Sequence, residues 1–152
     1  MKKITPFLWF DTQAEEAMNF YVSLFKNSKV NNISYGPDGK AFTVSFELDG
    51  QEFMGLNAGP QFQFNESISM FVNCEDQAEV DHFWNALIAD GGEESMCGWC
   101  RDKFGLWWQI VPKQLGELMG DPDPAKSQRV MHAMLKMQKI IVADLQQAHG
   151  GA

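Results

Sequence analysis

Residues 97–112 read CGWCRDKFGLWWQIVP and hold three of the five tryptophans and two of the three cysteines of the chain. Lys103-Phe104-Gly105 is typical of a tight turn, because glycine tolerates positive φ there. The apolar run at 106–111 after this turn predicts a strand that ends at Pro112. The stretch therefore predicts the last hairpin of a sheet, and the earlier strands must come from the residues before it.

The residues before this stretch, together with its hairpin, make a module of one helix and four strands. An apolar strand is predicted at 68–74, followed by a helix that begins at Glu75-Asp76 and ends at Gly91-Gly92. One face of this helix is apolar, with Val80, Phe83, Trp84, Leu87 and Ile88 at helical spacing. Residues 93–101 predict a weak strand.

The first half of the chain follows the same plan. Strands are predicted at 4–10, 30–35, 42–48 and 52–57, with an amphipathic helix at 12–25 that Asp11 or Thr12 would cap. Asp49-Gly50 is a strong hairpin signal. The repeat is visible in the letters, since Gln13-Ala14-Glu15 matches Gln77-Ala78-Glu79. Two copies of strand–helix–strand–strand–strand are therefore predicted.

The predicted fold is α+β, with two βαβββ modules in a single domain, 1–152. Module one spans 1–60, module two spans 66–113, and a helical extension spans 114–150. Within the extension, residues 125–148 predict one long C-terminal helix with an apolar stripe of Val130, Met134, Met137, Ile141 and Leu145.

The composition excludes several classes of function. The net charge of −8 and the absence of a basic stripe argue against nucleic acid as a partner. There is no apolar run of about 18 residues, so we expect no membrane span, and the N-terminus does not resemble a signal peptide. Three cysteines argue against a secreted disulfide scaffold and for the cytoplasm.

Six stretches, spread over nearly the whole chain, carry a resemblance to a known family. They are ITPFLWF at 4–10, EAMNFY at 16–21, EVD at 79–81, CGW at 97–99, DKFGLWWQIVP at 102–112 and MQKI at 137–140. The chain resembles the vicinal oxygen chelate superfamily, which includes glyoxalase I and the bleomycin-resistance proteins. More narrowly, it is similar to the 3-demethylubiquinone-9 3-methyltransferase-like branch.

The resemblance implies a glyoxalase-like curved sheet, a homodimer and a cavity for a small molecule, which in the enzymes also holds a divalent metal. Metal-binding relatives supply two ligands from each module. Strand alternation and the turns at Gly50 and Gly105 place these positions at Thr5, Met54, Ser69 and Gln109. This is a poor donor set for a divalent metal, so we expect no cofactor. A metal held by Gln109 and Glu52 remains the alternative.

The same alternation predicts a ligand site. Its apolar wall would be Phe7, Trp9, Phe71 and Trp107, with Thr5, Ser69, Asn73 and Gln109 as orienting polar groups. Small-molecule sites have this make-up. The alternative is that these aromatic residues fill the core, but the cavity that the resemblance implies favours the ligand site. Trp108 and Ile110 should pack on the opposite face. The acidic exterior favours a cationic ligand through long-range attraction.

Two further chemistries are open. Cys97 and Cys100 have the spacing of a redox pair, and Arg101 would lower the pKa of Cys100, but no helix follows to support a thiolate. An S-adenosylmethionine enzyme needs a glycine-rich turn in a parallel α/β sheet, which is absent. The sequence therefore favours a small-molecule-binding protein without a catalytic metal. The alternative is a metal-dependent lyase, isomerase or dioxygenase acting on an oxygenated metabolite, and whether the chain is an enzyme stays open.

Overall fold

A computed structural model describes residues 2–151, and the chain divides into two compact units, Met1–Phe64 and Asn65–Ala152. The boundary lies between the two predicted modules, 1–60 and 66–113. Each unit contains one four-stranded sheet with helices, as predicted.

The first unit is a βαβββ module with a mixed sheet. Its elements are β1 (Phe7–Phe10), α1 (Ala14–Leu24), β2 (Lys29–Tyr35), β3 (Ala41–Leu48) and β4 (Gln51–Asn57). The strand order is β1-β4-β3-β2, with β1 parallel to β4 and the other neighbours antiparallel. Asp49 and Gly50 form the predicted hairpin turn with φ values of 49° and 78°.

Helix α1 covers one face of this sheet. Leu8 and Phe10 are buried on that face, and Tyr21 of α1 packs on Phe46 with ring centroids 6.4 Å apart. The predicted cap by Asp11 or Thr12 is wrong. The helix begins at Ala14, whose N–H donates to the Asn57 side-chain oxygen at 2.8 Å, so β4 supplies the acceptor instead.

The second unit repeats the plan with shorter outer strands. Its elements are β5 (Met70–Cys74), α2 (Gln77–Ile88), β6 (Glu93–Glu94), β7 (Trp99–Arg101) and β8 (Trp107–Pro112), in the order β5-β8-β7-β6. Again the first strand is parallel to the last and the others are antiparallel. Helix α2 is capped by Asp76, whose side chain accepts from the Glu79 N–H.

A buried carboxylate fixes the turn between β7 and β8. Asp102 is only 1% exposed. One of its oxygens accepts from the N–H groups of Phe104 and Leu106, at 2.9 and 3.0 Å, and the other accepts from the Trp108 indole at 2.9 Å. The sequence predicted this turn from Gly105, but it did not predict that Asp102 holds it.

The C-terminal extension contains α3 (Lys113–Met119), α4 (Pro124–Met134) and α5 (Val142–His149). The prediction of one long helix over 125–148 is therefore wrong, although the extension is helical. The chain between α4 and α5 leaves the helical path because its backbone groups pair elsewhere. The N–H groups of Cys97 and Gly98 donate to the carbonyls of Met137 and Gln138, both at 2.8 Å.

The interrupted segment is anchored by side chains as well. Ile140 is fully buried and packs with Val111, Leu115, Val130 and Leu145 in the core of the extension. Gln77 of α2 donates to the Ile140 carbonyl at 3.0 Å and accepts from the Val142 N–H at 2.7 Å. Tertiary contacts thus override the helical periodicity of this stretch. The helices formed by residues 2–151 are all too short or too polar to span a lipid bilayer.

Candidate functional site

The face of each sheet that points away from its helix is called here the open face. In the second unit, the strand register places Phe71 and Trp99 opposite Gln109, and Arg101 opposite Trp107, all on this face. On the helix side, Cys74, Cys100, Trp108 and Ile110 are at most 2% exposed. The predicted assignment of Phe71, Trp107 and Gln109 to one face, and of Trp108 and Ile110 to the other, is confirmed.

Two of the predicted ligand positions touch each other on this open face. The Gln109 side-chain amide donates to the Ser69 hydroxyl at 2.9 Å, and both side chains are partly exposed. Asn73 lies further along β5, in register with Val111. Val111 is buried in the core of the extension, whereas Asn73 beside it is exposed.

The open face of the first unit carries the predicted residues of module one. Phe7 lies opposite Met54, and Trp9 lies opposite Leu56. The Trp9 indole donates to the Gly59 carbonyl at 2.9 Å, and its ring meets Phe62 edge-on at 4.9 Å. This packing fixes the Trp9 ring on the open side of β1.

The remaining two predicted residues of module one lie close to these. Thr5 precedes β1 by two residues and is partly exposed. Glu52 lies two residues before Met54 on β4, directly opposite Glu47, which forms an ion pair with Lys29 at 3.4 Å. Glu52 therefore faces another carboxylate.

The donor atoms at the four predicted ligand positions do not fit a divalent metal. Thr5 and Ser69 offer hydroxyls, Met54 offers a thioether and Gln109 offers an amide, so none carries a negative charge. Manganese, nickel and zinc sites in proteins are built mainly from imidazole, carboxylate or thiolate groups. Nowhere among residues 2–151 do three or more His, Cys, Asp or Glu side chains come together in an arrangement that could hold a metal ion.

The two cysteines of the Cys-x-x-Cys pattern, Cys97 and Cys100, have structural roles. All three cysteines are free, and Cys100 is fully buried on the helix side of β7. Burial, with the nearby Asp102 and Glu94 carboxylates, raises the pKa of Cys100 to about 12. The expected lowering by Arg101 is wrong, because strand alternation sends the Arg101 side chain to the other face. A thiol held in its neutral form is a poor nucleophile.

Cys97 and Gly98 have a structural task as well. Both have positive φ, 57° and 84°, and together they form the loop that pairs with Met137 and Gln138. A Cβ on Gly98 would lie 2.8 Å from Cδ1 of Ile140 and 3.0 Å from the Ile110 carbonyl oxygen. The stretches 97–99 and 137–140, both part of the resemblance, are therefore two sides of one contact.

Sequence reasoning missed two residues of the open face, Trp99 and Arg101. The available signal was the hairpin turn at Gly105. Counting back across it pairs Arg101 with Trp107 and Trp99 with Gln109, as the structure shows. The prediction treated 93–101 only as a weak strand and did not carry the alternation through it.

A concave surface elsewhere in the first unit was also not predicted. It has a volume of about 1040 Å³ and lies between the start of α1 and the turn that joins β2 to β3. Its lining includes Asp11, Glu15, Asp38, Lys40 and Phe42, and of the predicted site residues it contains none.

The fold and the site define a class. Paired βαβββ modules, each a mixed four-stranded sheet with a helix on one face, are the architecture of the glyoxalase, bleomycin-resistance and fosfomycin-resistance proteins of the vicinal oxygen chelate superfamily. A family model described as 3-demethylubiquinone-9 3-methyltransferase matches residues 2–111. The chain belongs to this family.

Solved structures agree with this assignment. A PhnB protein from Bacillus cereus is 36% identical, with a TM-score of 0.69, and the match covers 73% of this chain and 99% of that one. A Pseudomonas aeruginosa protein, 18% identical, has a TM-score of 0.62 over 74% of this chain and 98% of its own. None of the curated proteins compared with the chain matches it.

A third structure shares the fold at greater distance. The fosfomycin-resistance protein FosX of Listeria monocytogenes, solved with Mn(II) and sulfate, is 14% identical with a TM-score of 0.53 over 71% of this chain and 89% of its own. The family model ends at Val111, so helices α3 to α5 lie beyond the matched residues.

Proposed function

We propose that this chain binds a small molecule with a flat, apolar body on the open face of a sheet. The observation that carries the proposal is the exposure of Phe7 and Phe71, which occupy equivalent positions in β1 and β5. Each lies on an open face, and they are 52% and 54% exposed. Exposed aromatic rings on a sheet face, with polar groups beside them, are typical of ligand sites.

Polar groups that would orient the ligand lie next to these rings. Phe71 is in register with Gln109, which is hydrogen-bonded to Ser69. An amide and a hydroxyl that already bond each other are held in place, so they can contact a ligand carbonyl or hydroxyl with little further loss of entropy. This supports a ligand with an oxygen-bearing group beside its apolar body.

We further propose that binding proceeds without a catalytic metal. The support is the chemistry of Thr5, Met54, Ser69 and Gln109, none of which carries a charge. Dialysis of the purified protein against manganese, nickel or zinc, followed by elemental analysis, tests this directly. We expect less than about one tenth of an equivalent of metal to be retained, and a stoichiometric amount would contradict the proposal.

The alternative is a metal-dependent lyase, isomerase or dioxygenase that uses Gln109 and Glu52. The observation in its favour is that Glu52 lies opposite Glu47 on the open face of the first unit, which places two carboxylates side by side. Lys29 already pairs with Glu47, however, and its charge competes with a metal ion for that carboxylate. A metal bound in the dialysis test and lost in Glu52→Gln would favour this alternative.

The word methyltransferase in the family's description does not supply an activity. Methyl transfer from S-adenosylmethionine typically uses a glycine-rich turn at the end of a strand in a parallel α/β sheet. Here Gly50 and Gly105 lie in turns between antiparallel strands, β3 to β4 and β7 to β8. We therefore expect no methyl transfer. A homodimer and a cytoplasmic location also remain predictions.

A neutral aromatic probe tests the binding proposal. We expect 1-naphthamide to bind wild-type protein in isothermal titration calorimetry, and Phe71→Ala to weaken binding by about tenfold or more, since burying an aromatic side chain against the ligand contributes about 1.5–3 kcal/mol. Phe42→Ala is the matched control, because Phe42 is 51% exposed but points to the helix side of β3. Equal losses in both variants, or no binding by wild type, would overturn the proposal.

A further inference from the structure

The five tryptophans differ in what their indole N–H groups bind. Trp9, Trp84 and Trp108 donate to the Gly59 carbonyl and to the Glu94 and Asp102 carboxylates, each at 2.9 Å. Trp99 and Trp107 donate to no acceptor within residues 2–151. Both are partly exposed, and both lie on the open face of the second sheet. Indole N–H groups usually find an acceptor when buried, so a ligand that covers these two would be expected to supply one.

Arg101 adds a cation to the same face. It lies in register with Trp107 across β7 and β8, and its side chain is 35% exposed. Its only ion-pair partner among the described residues is Glu93, at 3.2 Å, and Glu93 is itself 65% exposed. Surface pairs of this kind contribute little and exchange readily. The guanidinium is therefore available to a better acceptor.

The Arg101 Nε–H is a third unmatched donor. This atom is buried and has no hydrogen-bond partner within the described chain. Buried polar groups in native proteins are nearly always paired with protein or water, so this N–H remains open to an acceptor that the protein itself does not supply. A planar guanidinium binds a carboxylate through two parallel hydrogen bonds, so a small shift of Arg101 toward such a group would engage Nε as well.

The background charge of the protein makes this arrangement informative. The chain has 12 basic and 20 acidic residues. An average part of its surface is therefore negatively charged and rich in hydrogen-bond acceptors. The second open face instead presents the Arg101 guanidinium and the two indole donors, with Glu93 at its outer edge. This face is rich in donors and matches a ligand rich in acceptors.

We propose that the ligand of the second open face is an aromatic or flat apolar molecule that carries an anionic oxygen-acid group, and that Arg101 binds this anion. Trp99 and Trp107 contact the apolar body and donate their N–H groups to its oxygens. The inference rests on the proposed small-molecule function and specifies its ligand class. It replaces the expectation of a cationic ligand, which followed from net charge alone.

Three probes that share a naphthalene ring separate charge from shape. They are 1-naphthoate, 1-naphthamide and 1-naphthylmethylammonium, each titrated calorimetrically into the 152-residue protein at low salt. Wild type is expected to bind the carboxylate at least tenfold tighter than the amide, and the ammonium more weakly than either. Charge-assisted hydrogen bonds support a ratio of this size.

The variants assign the effect to Arg101. Arg101→Gln should remove the preference for naphthoate while leaving the affinity for naphthamide within about twofold of wild type. Arg101→Lys should retain part of the preference for naphthoate. Lysine keeps the positive charge but lacks the planar guanidinium that can bind a carboxylate through two hydrogen bonds. Glu93→Gln is the matched control: it removes the competing carboxylate, so naphthoate should bind at least as tightly as to wild type.

The outcomes distinguish this inference from the function on which it rests. If naphthamide binds and Phe71→Ala weakens it, but naphthoate binds no tighter than naphthamide, the proposed function stands and the anionic ligand is excluded. A preference for naphthoate that survives in Arg101→Gln also overturns the role of Arg101. If no naphthalene probe binds the folded protein, both the proposed function and this inference fall.

Discussion

Gln109 donates its side-chain amide to the hydroxyl of Ser69 at 2.9 Å, which ties β8 to the residue just before β5 on the open face of the second sheet. Metal-binding relatives are expected to carry ligands at these two positions. In this chain, the two side chains hydrogen-bond each other and present an amide and a hydroxyl. This pair of side chains offers hydrogen bonds but no charged ligand for a metal.

The bond between Gln109 and Ser69 should be measurable as a coupling energy. We predict that a double-mutant cycle with Gln109→Met and Ser69→Ala, read by urea unfolding, gives about 0.5–1.5 kcal/mol, the usual net value of a partly buried hydrogen bond. Strictly additive effects of the two substitutions would show that the contact does not form in solution.

Gly98→Ala is predicted to destabilise the protein by about 1–3 kcal/mol. The position has φ of 84°, which an L-residue adopts at a cost, and the new Cβ would meet Ile140 at 2.8 Å. The measurement is the free energy of unfolding in urea.

Gly116→Ala is the matched control for this substitution. Gly116 lies inside α3 with nothing within 4 Å of its Cβ position. Alanine there should be neutral or stabilising by up to about 1 kcal/mol, since it favours the helix. If the two substitutions had equal effects, the close approach of Gly98 to Ile140 would be refuted.

Gln77 is predicted to hold the extension to α2. Its side chain donates to the Ile140 carbonyl and accepts from the Val142 N–H. Gln77→Ala should cost about 1–3 kcal/mol because it leaves these partners unsatisfied. It should also speed amide hydrogen exchange at Val142. Gln128→Ala, at an exposed position of α4, should change neither quantity. Slow exchange at Val142 in Gln77→Ala would contradict this role.

The buried thiols predict a loss of stability at alkaline pH. Burial raises the pKa of Cys74 and of Cys100 from 9.0 to about 12. Well below pH 9 both thiols are protonated in the folded and unfolded states, so the stability that their burial in neutral form contributes is fully present. Between pH 9 and 12 only the unfolded thiols ionise, so each lowers the free energy of unfolding by roughly 1.4 kcal/mol per pH unit.

Urea unfolding at pH 8, 9 and 10 measures this slope. The double variant Cys74→Ala/Cys100→Ala should show a shallower decline than wild type over the same range, because the other titrating groups are shared. In native protein at pH 8, a thiol reagent should modify the partly exposed Cys97 first. Rapid modification of Cys100 without unfolding would contradict its burial.

The sequence predicted the parts of the fold that local patterns control. Alternation in β1 and β5 and the turns at Gly50 and Gly105 were enough to place Phe7, Phe71 and Gln109 on the correct faces. These predictions succeeded because a two-residue period fixes the face of every side chain once one position is known. Whether these residues bind a ligand stays a prediction.

The parts it missed depend on tertiary contacts. Residues 125–148 have helical periodicity without an internal proline or glycine, so nothing local signals the break between α4 and α5. The break follows from hydrogen bonds to Cys97, Gly98 and Gln77, which lie 40 or more residues away in sequence. Arg101 was missed because β7 is only three residues long and follows a loop with two positive φ angles.

The most direct test of the account is the response of the five indole N–H signals in a proton–nitrogen correlation spectrum to added 1-naphthoate, with each signal assigned by a Trp→Phe variant. The account predicts that the signals of Trp99 and Trp107 shift most. The signals of Trp84 and Trp108, which donate to Glu94 and Asp102, should stay in place. Saturable binding that leaves Trp99 and Trp107 unmoved, or that shifts Trp84 and Trp108 instead, would contradict a ligand site on the open face of the second sheet.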